Sequence, residues 1–211
     1  MKNIYDIFNS KNLTYSIILC CLLYLFSLYV IQEIIIYDPQ SITGGNQRSV
    51  IAYRNFFHII YFVYPLYIFL KIFFISIIIN ISYYFQKNNI RFKEIMQIVC
   101  IAYIGYWLQY LVEILWFLII NKNYSMFDVT NYSFLSLYNF FNTKSPYIEI
   151  LLKNLDIFEL LFWYILIKGV VVVSKLSITK SVKLITFTYG LIFIFSIIAK
   201  IYFYSKMHPS Y

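Results

Sequence analysis

FFHIIYFVYPLYIFLKIFFISIIINISYYF (56–85), QKNNIRFKE (86–94) and IMQIVCIAYIGYWLQYLVEILWFLII (95–120) are a long apolar run, a brief polar turn and a second long apolar run. About twenty residues of helix, rising 1.5 Å each, cross a hydrocarbon core. Both runs exceed that length, and the turn is too short for anything but an antiparallel return. A water-soluble chain of 211 residues with 62% hydrophobic and only 12% charged residues has no means of burying so much apolar surface. The mean hydropathy of +0.72 points the same way. The fold class expected is therefore all-α, a polytopic integral membrane protein solvated by lipid.

Working outward, the spacing predicts five transmembrane helices in one domain over 1–211, at about 15–37, 56–85, 95–120, 155–174 and 182–204. Asp38-Pro39 ends the first, because proline lacks an amide proton and disfavours helix at the residue before it. No small-residue cleavage site follows Val30, so the run is read as a retained helix rather than a signal peptide. Gly44-Gly45 marks a linker reaching to about Asn55, and Pro65 is the candidate kink in the second span. Residues 121–145 mix Phe and Tyr with Asn and Ser, a composition suited to the headgroup region, and are expected to lie on the membrane surface. Ser145-Pro146 then starts a helix expected to run through Leu151, Phe158 and Trp163 to Val173.

The net charge of +8 suggests nucleic acid in a soluble protein, but here the cations sit between apolar runs. Nucleic acid is excluded as a partner on that ground, and the lipid bilayer, with a membrane-protein partner, takes its place. The amino-terminal segment and the turns after spans two and four hold eight cations, against six spread over the longer segments of the opposite side. By the positive-inside bias the amino terminus is cytoplasmic and, after five crossings, the carboxyl terminus lies outside. Cys20, Cys21 and Cys100 all fall inside apolar runs and read as small buried hydrophobes.

Two stretches carry a resemblance. NNIRFKEIMQIVCIAYIGYWL (88–108) has a basic turn, an aromatic followed by a charged pair, and then an apolar helix. LDIFELLFWYILIKGVVVVSKLSITKSVKLITFTYGLIF (155–193) has an acidic-apolar-Phe entry, Trp163, a Leu-x-x-Gly step at Leu166–Gly169, a Ser/Lys turn and a last helix. In order and spacing these stretches, a little under a third of the chain, resemble the Yip1 domain family, and its bacterial members in particular. The resemblance implies five helices, a cytoplasmic amino terminus in a bacterial inner membrane and a scaffolding or accessory role. It implies no catalytic residues.

Charges inside hydrocarbon cost roughly 2.5–3.5 kcal/mol each at mid-helix, so those present need a reason. Lys71, Glu113 and Lys168 are the central ones, with Glu33 and Glu159 nearer span ends and Gln109 one turn before Glu113 on the same face. Counted from Asn89, Lys71 and Glu113 differ in depth by about 9 Å, within reach of helix tilt and a lysine stem. Three readings follow: a structural ion pair, separate snorkelling, or a pathway for an ion or proton. His58 and His208 show no metal-ligand spacing, and no P-loop, GxSxG or GxGxxG occurs. No cofactor, metal or catalytic residue is expected. The function expected is non-enzymatic; the alternative is a small transporter or channel subunit using Lys71 and Glu113.

Overall fold

The computed structural model describes residues 12–37, 47–85, 90–119, 135–141 and 143–207. They form α1 (Leu13–Tyr37), α2 (Gln47–Phe85), α3 (Phe92–Ile119), a 3-10 turn (Leu137–Phe140), α4 (Pro146–Asn154), α5 (Ile157–Ser174) and α6 (Ile178–Met207). Five of these, all but the short α4, are long and apolar enough to cross a membrane. No strand occurs among the described residues, where a single isolated bridge joins Ser136 and Asp156. The protein is an all-α integral membrane protein.

Side-chain pairs along the seams set the direction of each span. Ser16, Tyr24 and Ser27 of α1 meet Gln97, Tyr103 and Trp107 of α3 in ascending order, so these two helices run parallel. Tyr64 meets Tyr110 while Phe73 meets Phe92, which makes α2 antiparallel to α3. Trp163 of α5 meets Tyr189 while Asn154, just ahead of α5, meets Lys200, so α6 runs back against α5. The alternation is what short turns between long apolar runs require.

Because lipid tails are as apolar as leucine, burial from water does not hold these helices together; packing and interhelical hydrogen bonds do. The third helix is the hub, in contact with α1, α2 and α5. The Gln97 amide donates to Ser16 Oγ at 2.8 Å, Tyr24 hydroxyl to the Tyr103 carbonyl at 3.2 Å, and Trp107 Nε1 to Ser27 Oγ at 2.7 Å. Each such bond contributes about 0.6 kcal/mol on average in a membrane. On the opposite face Phe162 of α5 lies among Tyr103, Tyr106 and Tyr189 with ring centres 5.3, 4.9 and 4.8 Å away. Gly105 lets α5 approach closely, since a Cβ there would stand 3.0 Å from Ile165 Cδ1. Gly190 makes the corresponding room for Trp163, 3.1 Å from where its Cβ would be.

Three expectations change. The second helix begins at Gln47, inside the stretch assigned to a linker reaching Asn55, because Val50-Ile51-Ala52-Tyr53 continues the apolar run backwards through Arg54 and Asn55. Pro65 lies inside that unbroken helix, and Gly44-Gly45 falls outside the described residues. The helix from Ser145-Pro146 to Val173 is two helices. Leu155 closes α4 at φ −98° and ψ 85°, and Asp156 opens α5 with its carboxylate on the Glu159 amide. Pro146 takes the first helical position as expected, whereas the Ser145 hydroxyl makes no capping bond. Of the segment 121–145, residues 135–141 and 143–145 are described and include the 3-10 turn, preceded by Leu135 at φ 56°; 121–134 and 142 lie outside the described residues.

The short α4 that follows is amphipathic. Tyr147, Ile148 and Leu151 are exposed along it, together with Phe140 and Phe141 of the preceding turn, while Glu149 and Lys153 pair at 2.7 Å. An amphipathic helix with such a face suits the headgroup boundary.

Candidate functional site

The chain break at Leu155–Asp156 builds a polar cluster at the start of α5. Asp156-Ile157-Phe158-Glu159 has the spacing of a capping box, in which the cap carboxylate takes the amide of the third residue and that residue's side chain reaches back. The first half is present: Asp156 Oδ1 accepts from the Glu159 amide at 2.6 Å. The second half is redirected, for Glu159 Oε1 accepts from Trp163 Nε1 at 2.6 Å, one turn further along. The Tyr189 hydroxyl of α6 turns to the same carboxyl. Glu159 is 3% exposed, a charge-bearing side chain enclosed one turn inside a spanning helix. The amino-terminal end of α5 favours negative charge there, which offsets part of the desolvation.

Four helices contribute. Gln109 of α3 donates to Glu113 Oε1 at 3.0 Å and its amide also reaches Asp156, so one side chain bridges carboxylates of α3 and α5. Lys200 of α6 donates to Asn154 Oδ1, and its charge acts on both Asp156 and Glu159. Lys71 of α2 acts on Glu159 from a second direction. For Asp156, burial pushes the carboxyl above its ordinary range, against the amide bonds from Glu159 and Phe158, the Gln109 amide and the Lys200 charge. Asp156 and Glu159 inside, Glu113 beside them and two lysines on the outer surface leave most of the negative charge compensated, the arrangement in which buried charge is tolerated.

The residues singled out from sequence separate into those this cluster gathers and those it leaves apart. Gln109 and Glu113 meet as neighbours on one face, and both belong to it. Lys71 is exposed with Nζ 4.6 Å from the Tyr67 ring centre, and its charge acts on Glu159 from a distance. The ion pair recorded within 4 Å among the described residues is Lys153–Glu149, not Lys71–Glu113. Lys168 is exposed and lies 5.7 Å from the Tyr164 ring centre, the posture of a snorkelling lysine. The side chains of Glu33 and His58 lie outside the described residues, as does His208. Lys200 interrupts the last apolar run as Lys71 does the second, and the same criterion of charge inside hydrocarbon marks it. Trp107 donates across the α1–α3 seam to Ser27, whereas Trp163 donates along its own helix to Glu159.

Lys71→Met is expected to change stability by less than about 1 kcal/mol, because a cation over an exposed ring contributes about 0.5–1 kcal/mol and its attraction to Glu159 is offset by repulsion from Lys200. Thermal unfolding in detergent measures this. A loss of about 3–5 kcal/mol would instead reveal a buried ion pair involving Lys71.

Among the described residues no three His, Cys, Asp or Glu side chains come together in a group able to hold a metal ion. What the cluster does chemically is join α3, α5 and α6 through ionisable groups, away from the carboxyl-terminal ends of α2 and α5. Compared with protein-family models, curated proteins and solved structures, the chain finds no match.

Proposed function

We propose that the chain is a Yip1-like integral membrane protein with a non-enzymatic scaffolding or accessory role, acting by helix packing against membrane partners or lipids. The observation that supports this reading is an apolar cleft between α1 and α2. Leu22, Leu25, Phe26, Tyr29, Tyr61 and Phe62 line about 470 Å³ there. None of the ionisable candidates lines it, and Phe26 and Phe62 project from it into the lipid-facing surface. Such a cleft offers van der Waals surface to an acyl chain or a neighbouring helix, which is how helices associate in lipid. A photoreactive side chain replacing Phe26 or Phe62 is expected to give discrete adducts with lipid or with one membrane protein. Ion flux into vesicles containing only this protein, lost in Glu113→Gln, would overturn the reading.

That second outcome belongs to the alternative, a small transporter or channel subunit using Lys71 and Glu113. It is favoured by Gln109, which links Glu113 to the Asp156 carboxylate across two helices. Intramembrane carboxylates arranged in series are what a proton or ion pathway uses.

The reading includes a bacterial inner membrane with the amino terminus in the cytoplasm. In a cysteine-free background, single cysteines at Asn89 and Thr179 are expected to resist an impermeant thiol reagent in intact cells, and one at Gly44 to react. Labelling at Asn89 would reverse the orientation, showing that the cation bias of the short turns points the wrong way.

A further inference from the structure

The three cysteines are the only ones in the chain, and the fold brings them together. Cys20 of α1 and Cys100 of α3 are both 0% exposed and belong to the same buried core. Register places them at the same level of the α1–α3 seam. Ser16 is bonded to Gln97 one turn before it, and Tyr24 to the Tyr103 carbonyl one turn after it. Two parallel helices pinned at both neighbouring turns hold the intervening side chains face to face. Cys21, the next residue, is turned away and half-buried, yet remains close enough to act electrostatically on both.

We propose that Cys20 and Cys100 are a redox-closable pair, forming a disulfide that locks α1 onto α3 when a lipid-soluble quinone accepts their electrons. The product is chosen by charge. A soft monovalent metal bound by two thiolates leaves a net negative charge, which hydrocarbon penalises. A disulfide is neutral and apolar, so it adds no charge to the hydrocarbon. The oxidant is chosen by depth. The cysteines stand about 10–12 Å along their helices from the starts of α1 and α3, inside the apolar segments where water-soluble thiols and disulfides do not partition. In the reaction both S–H bonds break and one S–S bond forms. The quinone takes the two electrons and two protons and leaves as quinol. Closure suits α1, whose main neighbours among the described helices are α2 and α3.

The test uses the full chain, reduced and reconstituted in oxygen-free vesicles containing a short-chain benzoquinone substituted at every ring position, so that thiol addition to the ring is blocked. The expected result is equimolar quinol, a loss of two hydrogen atoms from the intact mass, and peptides joined through Cys20 and Cys100. Cys21→Ala should leave all three unchanged, and Cys100→Ala should reduce quinol formation to background. Thiols that stay reduced in the folded wild-type protein, while all alkylate after denaturation, overturn the proposal, as does a bond that uses Cys21 or joins two chains. The wild-type peptide map decides the matter even where a variant fails to fold.

Discussion

Phe162→Ala is expected to lower stability by about 3–5 kcal/mol, the range for removing a large aromatic side chain from a packed interior. The ring is 0% exposed and faces Tyr103, Tyr106 and Tyr189, so its loss opens a void shared by α3, α5 and α6. In lipid the transfer part of that cost shrinks, because the unfolded helices would expose the ring to a medium as apolar as the core. The contact part does not: three rings lose their facing atoms, and aromatic pairs contribute about 0.5–1.5 kcal/mol each beyond area. Phe162→Leu, which keeps most of the volume, should lose less than half as much. Denaturant or thermal unfolding in mild detergent reads the difference. A loss below about 1 kcal/mol for the alanine variant would mean that neighbours collapse into the space and that the three-helix seam is soft.

How much of this architecture was legible in the residues depends on which force set each part. The five spans were readable because membrane-crossing length is imposed by lipid and recorded directly as apolar run length. The antiparallel pairing of α2 and α3 follows from the brevity of 86–91. The break at Leu155–Asp156 is different. Nothing in the local pattern of LLKNLDIFELL forbids a continuous helix; the chain divides where Asp156 can cap the Glu159 amide while Leu155 and Asp156 pair with the 136–137 backbone, a contact over long sequence distance. The capping-box spacing of Asp156 and Glu159 is the available signal. Depth counting brought Lys71 and Glu113 to comparable levels but could not see rotation about the helix axes. Rotation turns Lys71 outward toward Tyr67 and gives Glu113 to Gln109. The cysteine seam was similarly invisible: positions 20 and 100 look alike in composition to their neighbours until α1 and α3 are placed in register by Ser16–Gln97 and Tyr24–Tyr103.

Glu159→Lys should be the most damaging single charge change in the chain, with an expected loss of about 3–5 kcal/mol, comparable to leaving a buried charge without its partner. The substitution removes the acceptor of Trp163 Nε1 and sets a cation among Lys200, Lys71 and the amide-rich end of α5, all of the same sign. Glu159→Gln separates geometry from charge. Its carbonyl oxygen still accepts from Trp163, so a packing role predicts a loss near that of one ordinary hydrogen bond, about 0.5–1.5 kcal/mol. The decisive comparison is the pair Glu159→Lys with Lys200→Glu. Lys200 lies on the exposed side of the cluster, so its carboxylate replacement stands in water or headgroups and screens the new lysine only in part; recovery of about half of the loss is expected in a double-mutant cycle. Unfolding of the four proteins in the same detergent supplies all the terms. If Glu159→Lys is as stable as wild type, the enclosed carboxylate exerts no hold on the helices around it. If instead Glu159→Gln retains stability but abolishes a proton or ion flux in vesicles, the cluster is a pathway rather than a clasp, and the transport reading replaces the scaffold one.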